Sequence, residues 1–484
     1  MKKICILGSG VGGGILALEL LKKCDAQIYI VDIDAKNEQD KKKKNQLKVK
    51  FSSNINHNKK IVYGLGGGSN SWHGVITTLD KQDLISIDKS TNYKISDSIN
   101  SNWKQLSNYF PKVNELLKKT KKNFKHSLIN KGDLILKKYL VNIFPLRVKK
   151  LLTYRLKRNN NLKYIDNTIA IKLNTDKLGN IISVNCIKQN KDYCIKADIF
   201  ILSMGAIENP RILNQSFKNT KYYNPSVGKN LIDHPFSFIS KIINKDKIIY
   251  RNNGYSSIFK KITLRYGFIN SFLKSDSGTN HSIFLRPSYT RKIMTNRKIL
   301  NQLIYKKFNL KLFSRILKSW ALLKTCFGLI CEKFGIGYYT NIFDVSMQFE
   351  MFHKDKSFVK LSNYKDDYGR IIPIVNYRIP NRFYKDILHM QKKIRNSLKG
   401  NSTLINFNKS KIKFESGSHY SGTCKIGSNI NNSVIDQNLK YHKLNNLFIC
   451  DASIFPQIGN ANLFLTITLF SIRLSRYLKK RYHL

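Results

Sequence analysis

Lys3-Ile-Cys-Ile-Leu-Gly-Ser-Gly-Val-Gly-Gly-Gly14, followed by Ile15-Leu-Ala-Leu-Glu-Leu-Leu21, decides the fold. The apolar run Ile4 to Leu7 stops at glycines and an apolar repeat of helical period begins, so the stretch reads strand, tight turn, helix. Gly8, Gly10 and Gly13 form G-x-G-x-x-G in the strand-to-helix context that makes this pattern informative. Gly8 permits the turn, Gly10 leaves room for a pyrophosphate against the backbone, and Gly13 lets helix and strand pack closely. The helix N-terminus then points free N–H groups at the phosphates. A second strand, Gln27 to Val31, ends at Asp32, 24 residues past Gly8 and near the spacing of a carboxylate that binds a ribose hydroxyl. This is a dinucleotide-binding unit of the α/β class, and the stretch leaves open which dinucleotide it holds.

Around that unit, a chain of 484 residues has room for about two or three structural units and a large core. Hydrophobic content of 42% with 11% aromatics excludes an intrinsically disordered chain. Lys+Arg of 85 against Asp+Glu of 30 gives a formal net charge of +55, which raises nucleic acid or an anionic membrane surface as partners. Yet the cations are spread along the whole chain among Asn, Ile and Tyr, with no zinc-finger spacing, RNA-recognition consensus or basic-zipper pattern. The charge therefore reads as a chain-wide bias, and no nucleic-acid partner is expected. Cys5, Cys24, Cys186, Cys194, Cys326, Cys331, Cys424 and Cys450 form no C-x-x-C pair and no zinc pattern, so no metal is expected. Several sit in apolar runs as small hydrophobes, which suits a reducing compartment. Met1-Lys2-Lys3 before an apolar run mimics a secretion signal, but the same residues are needed for the first strand and no small-residue cleavage site follows. No uncharged run approaches the ~18 residues of a membrane span. The expected location is the cytoplasm.

Further along, residues 35–60 form a polar, Lys-rich connection that reads as a solvated loop. Val62-Tyr-Gly-Leu-Gly-Gly-Gly-Ser-Asn-Ser-Trp-His-Gly74 then supplies a second backbone-donor loop around Gly67, Gly68 and Ser69, suited to lie against a flat or anionic ligand. Residues 81–160 look largely helical, and 163–202 read as strands ending in the buried run Ala197 to Ser203. Met204-Gly-Ala-Ile-Glu-Asn-Pro-Arg211 turns into a helix with Pro210 in its first turn. Residues 303–339 are basic, apolar and aromatic, and a helix lying on its own domain is favoured over peripheral membrane contact. In the last 70 residues, His419 sits in a turn of small residues, the run Leu447 to Cys450 ends at Asp451, and Gly459-Asn-Ala-Asn462 leads into a closing helix.

The order of these motifs resembles the glucose–methanol–choline (GMC) oxidoreductase family, which is built on FAD. Gly8–Gly13 with Asp32 resembles its ADP-binding unit, and Gly64 to Gly74 its second glycine signature. Ile201 to Arg211 is similar to the segment written L-S-A-G-A-I-x-S-P, and Gly228-Lys-Asn-Leu-Ile-Asp-His-Pro235 to G-x-N-L-x-D-H-P. His419-Tyr-Ser-Gly-Thr-Cys, Asp451-Ala-Ser-Ile-Phe-Pro and Ala461 to Ile467 match the closing signatures, and Glu350 with Val359 to Ser362 resembles the substrate-domain sheet. Residues 236–340 carry no motif. His73, Met204 and Asn460 depart from the family's usual residues, and the flavin-attaching histidine of some relatives aligns with Trp72. His234 reads as structural.

The resemblance implies an α/β fold. A discontinuous Rossmann-like FAD-binding domain (1–80, 161–235 and 412–484) would be joined by a substrate-binding domain with an antiparallel sheet (81–160 and 236–411). It implies FAD contacts at Gly8, Gly10, Gly13, Asp32, Gly67, Gly68, Ser69, His73, Gly205, Asp451 and Ala452. It places His419 and Asn462 at the flavin. Oxidising an alcohol moves a hydride from carbon to flavin N5 while the hydroxyl loses its proton. A neutral histidine, with a reference pKa of about 6.5, suits the base. An asparagine can hold the substrate oxygen without adding charge. The expected donor is a small-molecule alcohol of sugar or polyol type, with the electron acceptor open. The alternatives are a lipid or sterol alcohol, and a basic binding protein that keeps the flavin fold without turnover.

Overall fold

The computed structural model describes residues 1–22, 24–33, 47–52, 61–72, 74–77, 79, 81–95, 103–110, 135–136, 140–141, 145–250, 268–269, 281–287, 323, 338–352, 355–398, 402–459 and 461–484. β1 (Lys2–Leu7), α1 (Val11–Leu20) and β2 (Ala26–Val31) form the opening unit as the sequence predicts. α1 is apolar on every side and buried from Gly12 to Leu20, so it has no solvent face. The one charged residue inside it, Glu19, accepts hydrogen bonds from Lys22 (2.5 Å) and the Tyr109 hydroxyl (2.7 Å).

Next come β3 (Lys50–Ser52), α2 (Lys81–Thr91), α3 (Val148–Leu156) and β4 (Leu162–Ile165). β5 (Thr168–Thr175), β6 (Ile181–Lys188) and β7 (Lys191–Lys196) form an antiparallel sheet. β8 (Ile199–Leu202) then leads into α4 (Gly205–Phe217). The second half holds β9 (Phe236–Tyr250), β10 (Ser282–Pro287), β11 (Tyr338–Gln348), β12 (Phe358–Lys365), β13 (Ile371–Asn376), α5 (Arg382–Ser397), β14 (Ser402–Asn406), β15 (Leu447–Ile449) and α6 (Phe464–Tyr482).

The central sheet is wholly parallel, in the order β15-β8-β1-β2-β4, with Ile4 opposite both Ile199 and Ile28. The runs Ile4–Leu7, Ile199–Leu202 and Leu447–Ile449 are continuous, apolar and buried where helices and the β5–β7 sheet cover the central sheet, as parallel sheets require. From β1 the chain steps outward through β2 to β4, then returns on the other side of β1 through β8 to β15. Such a reversal opens a crevice at the carboxyl ends of the strands. Gly8, Asp32, Met204 and Asp451 each lie within two residues of a strand's carboxyl end there.

A second, antiparallel sheet runs β14-β9-β11-β10 and continues through the short pairs Phe268–Ile269 and Ile135–Leu136. The expected combination of a Rossmann-like parallel sheet with an antiparallel sheet is thus borne out. Two local expectations differ. Residues 81–160 contain α2, α3 and a turn of helix at Trp103–Leu106, but also strands at Ile135–Leu136 and Leu140–Val141. Within the Lys-rich connection, Lys50–Ser52 pairs in parallel with β13, a backbone pairing that needs no apolar pattern of its own. Apart from Leu323, Tyr338 and Tyr339, residues 303–339 lie outside the described residues. No helix among the described residues is long and apolar enough to cross a membrane.

Candidate active site

The first glycine loop is built as its spacing predicts. Gly8 adopts φ +99°, a left-handed conformation that β-carbons resist, and its N–H donates to the Val31 carbonyl at 2.9 Å. A β-carbon on Gly13 would stand 2.1 Å from the Gly8 carbonyl oxygen, whereas one on Gly10 would meet no protein atom within 4 Å. Gly10 faces open space. Asp32 accepts the N–H groups of Ser9 (2.7 Å), Ile33 (2.7 Å) and Gly64 (3.2 Å), and the Ser9 hydroxyl. The Ser9 hydroxyl in turn accepts the Gly66 N–H at 3.1 Å. Ser9 and Asp32 therefore lash the two glycine loops together, and Gly67 touches Gly10.

In the second loop Gly68 faces open space, as Gly10 does. Ser69 turns inward: it is fully buried, its hydroxyl donates to the Gly66 carbonyl (2.6 Å), and it accepts the Val148 N–H (3.2 Å). Trp72 stacks on Phe464 with ring centroids 4.1 Å apart, and its buried indole N–H has no partner among the described residues. His73 and Asn460 lie outside the described residues.

Across the crevice, Gly205 also has open space where a side chain would be. The buried Asp451 carboxylate accepts the Gly205 N–H (2.7 Å), the Asn209 amide (2.7 Å) and the Ser453 N–H (2.8 Å). It thereby caps the 3-10 turn that half-buried Ala452 begins and ties that turn to α4. Burial pushes the Asp451 carboxyl up, and these donors oppose the shift. Sequence reasoning passed over Gly12, where a β-carbon would stand 1.8 Å from the Cys450 carbonyl oxygen. Its neighbours in the motif hid its role, which is close approach of α1 to the end of β15.

His419 lies in a turn held by one carboxylate. Asp233, fully buried after the loop from Gly228, accepts the His419 N–H (2.7 Å), the Ser418 N–H (3.3 Å), and the hydroxyls of Ser416 (2.6 Å) and Tyr377 (3.0 Å). Burial alone would raise its pKa. Attraction to His419, the Ser416 and His419 hydrogen bonds, and His234 outweigh it and hold the carboxyl below its ordinary value. The same anchoring keeps Ser418 at φ +59°.

His234 joins this turn to the other closing signature. Its Nδ1 lies 3.4 Å from His419 Nδ1, with the rings edge to face, and its Nε2 lies 2.7 Å from the carbonyl oxygen of Gly459. Half-buried Asn462 follows three residues later, and its amide makes no hydrogen bond to a described residue. Two residues past β11, the buried Glu350 accepts from the Gln457 amide (2.9 Å), which accepts from the Ser86 hydroxyl (2.7 Å). The loop carrying Gly459 and Asn462 is thus pinned by His234 and by Glu350. His234 and Glu350 stand in quoted motifs, but only the fold shows what they grip.

Open positions at Gly10, Gly68 and Gly205, lining a crevice at the strand ends, fit an extended dinucleotide. No group of His, Cys, Asp or Glu among the described residues could hold a metal. Two GMC oxidoreductase family models match, at residues 149–236 and 353–471. The chain is a GMC oxidoreductase. Its cofactor is FAD, and the likeness read from motif order holds. Among solved structures, a pyridoxine 4-oxidase from Mesorbium loti superposes with a TM-score of 0.63 at 13% identity, covering 100% of this chain and 99% of that one. An FAD-dependent oxidoreductase from Chaetomium thermophilum gives a TM-score of 0.61, also at 13% identity, with 100% of both chains covered. At that identity the likeness speaks for the fold alone. A comparison with curated proteins gave no match.

Proposed function

We propose that this GMC oxidoreductase oxidises an alcohol carbon of a small hydroxylated molecule, with His419 as the base and Asn462 holding the substrate oxygen. The observation that carries the reading is the convergence of two distant signatures: Asp233 fixes the His419 turn, and His234 links that turn to the loop ending at Asn462. FAD, when bound, supplies the hydride acceptor. His419 takes the hydroxyl proton, and the buried Asp233 carboxylate offsets the positive charge that arrives on the ring. The Asn462 amide orients the substrate oxygen without adding charge. On the same reading, 1–80, 161–235 and 412–484 hold the cofactor, and 81–160 with 236–411 cover the substrate.

The sheet favours a polar donor. Phe236, Gln348 and Ser282 pair in a row across β9, β11 and β10, next to His234, and Phe238, Ser346 and Phe284 form a second row on the same face. The opposite face carries Val345, Met347 and Ile283; Ser282 and Ser346 are buried as these are, so the faces differ in polarity and not in exposure. Hydroxyls and an amide set between aromatic rings suit a sugar- or polyol-type alcohol better than a sterol. The lipid-alcohol reading leans on 303–339, almost all of which lies outside the described residues.

Anaerobic stopped-flow mixing of the FAD-loaded protein with a panel of alcohols tests the reading. A polyol or sugar is expected to bleach the flavin. His419→Ala should retain FAD yet slow bleaching by about 10²–10⁴-fold. Unchanged bleaching rejects His419 as the base, and no bleaching by any alcohol favours the binding-protein reading.

A further inference from the structure

Building on that reading, we infer that His234 is a positioning residue that selects the tautomer of His419, leaving Nε2 as its proton-accepting nitrogen. The argument starts at the far end of the pair. The Gly459 carbonyl oxygen can only accept, so the 2.7 Å contact requires a proton on His234 Nε2. When the pair is neutral, His234 Nδ1 is therefore a bare acceptor. It faces His419 Nδ1 at 3.4 Å, at the long end of hydrogen bonding, where two bare nitrogens would repel. His419 must then carry its proton on Nδ1, and Nε2 keeps its lone pair.

The backbone holds both rings in place. His419 N–H is anchored on Asp233, the residue preceding His234, so one dipeptide grips the backbone and ring of His419 together. A β-carbon on Gly417 would stand 2.2 Å from the His234 carbonyl oxygen, so the two chains lie in contact beside the pair. In turnover, the substrate O–H bond breaks, its proton bonds to Nε2, and the Nδ1 proton stays between the rings. Bound FAD would supply the acceptor for the hydride, and the histidine pair holds one extra proton beside the Asp233 carboxylate. A His234 protonated on both nitrogens would reverse the order, placing the His419 proton on Nε2 and disabling the base.

The test reads nitrogen shifts in histidine-¹⁵N-labelled, FAD-loaded protein at alkaline pH without substrate, with His419 signals assigned by their loss in His419→Ala. A protonated Nδ1 and a bare Nε2 are expected. His234→Gln keeps a donor for the Gly459 carbonyl but removes the acceptor facing Nδ1. It should move His419 to the Nε2-protonated form and slow alcohol-driven flavin reduction by about 10–10²-fold with FAD content unchanged. His234→Asn, with an oxygen near the lost Nδ1, should restore the Nδ1-protonated signal. An Nε2-protonated His419 in the unmodified protein, or a tautomer indifferent to His234→Gln, overturns the inference. Because the tautomer is read without substrate, a failed alcohol screen would count against the function and not against this assignment.

Discussion

At the scale of single residues, the crevice separates glycines that let protein backbones approach from glycines with open space beside them. Gly12→Ala would push a methyl group to 1.8 Å from the Cys450 carbonyl oxygen, between backbones that cannot yield. We expect it to cost about 1–3 kcal/mol or to prevent folding, read by chemical denaturation. Gly10→Ala meets no protein atom. It should fold with near-normal stability and lose FAD affinity by about 10-fold or more, read by flavin titration of the apoprotein. Equal effects of both on stability would refute the distinction. Asp233 gives a further residue-scale expectation. Its carboxyl is held below its ordinary value in the folded chain, so its stabilisation is complete above the unfolded carboxylate range and is lost as pH falls through the folded value. Asp233→Asn should therefore flatten the acid limb of the stability curve while costing about 1–3 kcal/mol at neutral pH.

Between elements, a buried ion network fixes α4 to the β12–β13 hairpin. Glu208 Oε2 lies 2.7 Å from both Arg211 Nε and Arg370 Nη1, and Arg370 Nε pairs with Asp366 at 2.8 Å. Burial raises the Glu208 pKa, but the two guanidinium groups overcome it and bring it down to about 2. Glu208→Gln leaves the buried Arg211 without a carboxylate partner and Arg370 with Asp366 alone, and about 3–5 kcal/mol of stability should disappear in equilibrium denaturation. A loss under about 1 kcal/mol would show that water reaches the pair. Elements were legible in proportion to how local their causes are. β1, its glycine turn and α1 follow from neighbouring residues. The pairing of Lys50–Ser52 with β13 depends on a partner more than 300 positions away and leaves no periodic trace. The same holds for the site: His419 and Asn462 were named by their motifs, whereas the ring contact between His234 and His419 spans 185 positions.

For the whole molecule, the formal charge of +55 must be reconciled with a folded chain. Most cations repel one another across solvent within the screening range, about 8 Å at physiological ionic strength. Raising salt from about 20 to about 200 mM should therefore raise the thermal midpoint by about 2–4 °C, read by differential scanning fluorimetry. A midpoint that falls with salt would mean that specific surface ion pairs outweigh the repulsion. Another whole-molecule property follows from the order of the central sheet. β15, supplied by residues 447–449, is an edge strand hydrogen-bonded to β8, and α6 lies against α1. During synthesis, then, the first strand and helix leave the ribosome hundreds of residues before the segments that cover them. Until those segments arrive, β8 presents an unpaired, wholly apolar edge, the kind of surface that seeds aggregation. A chain cut short of residue 447 should need a chaperone to stay in solution however well its glycine loops are formed.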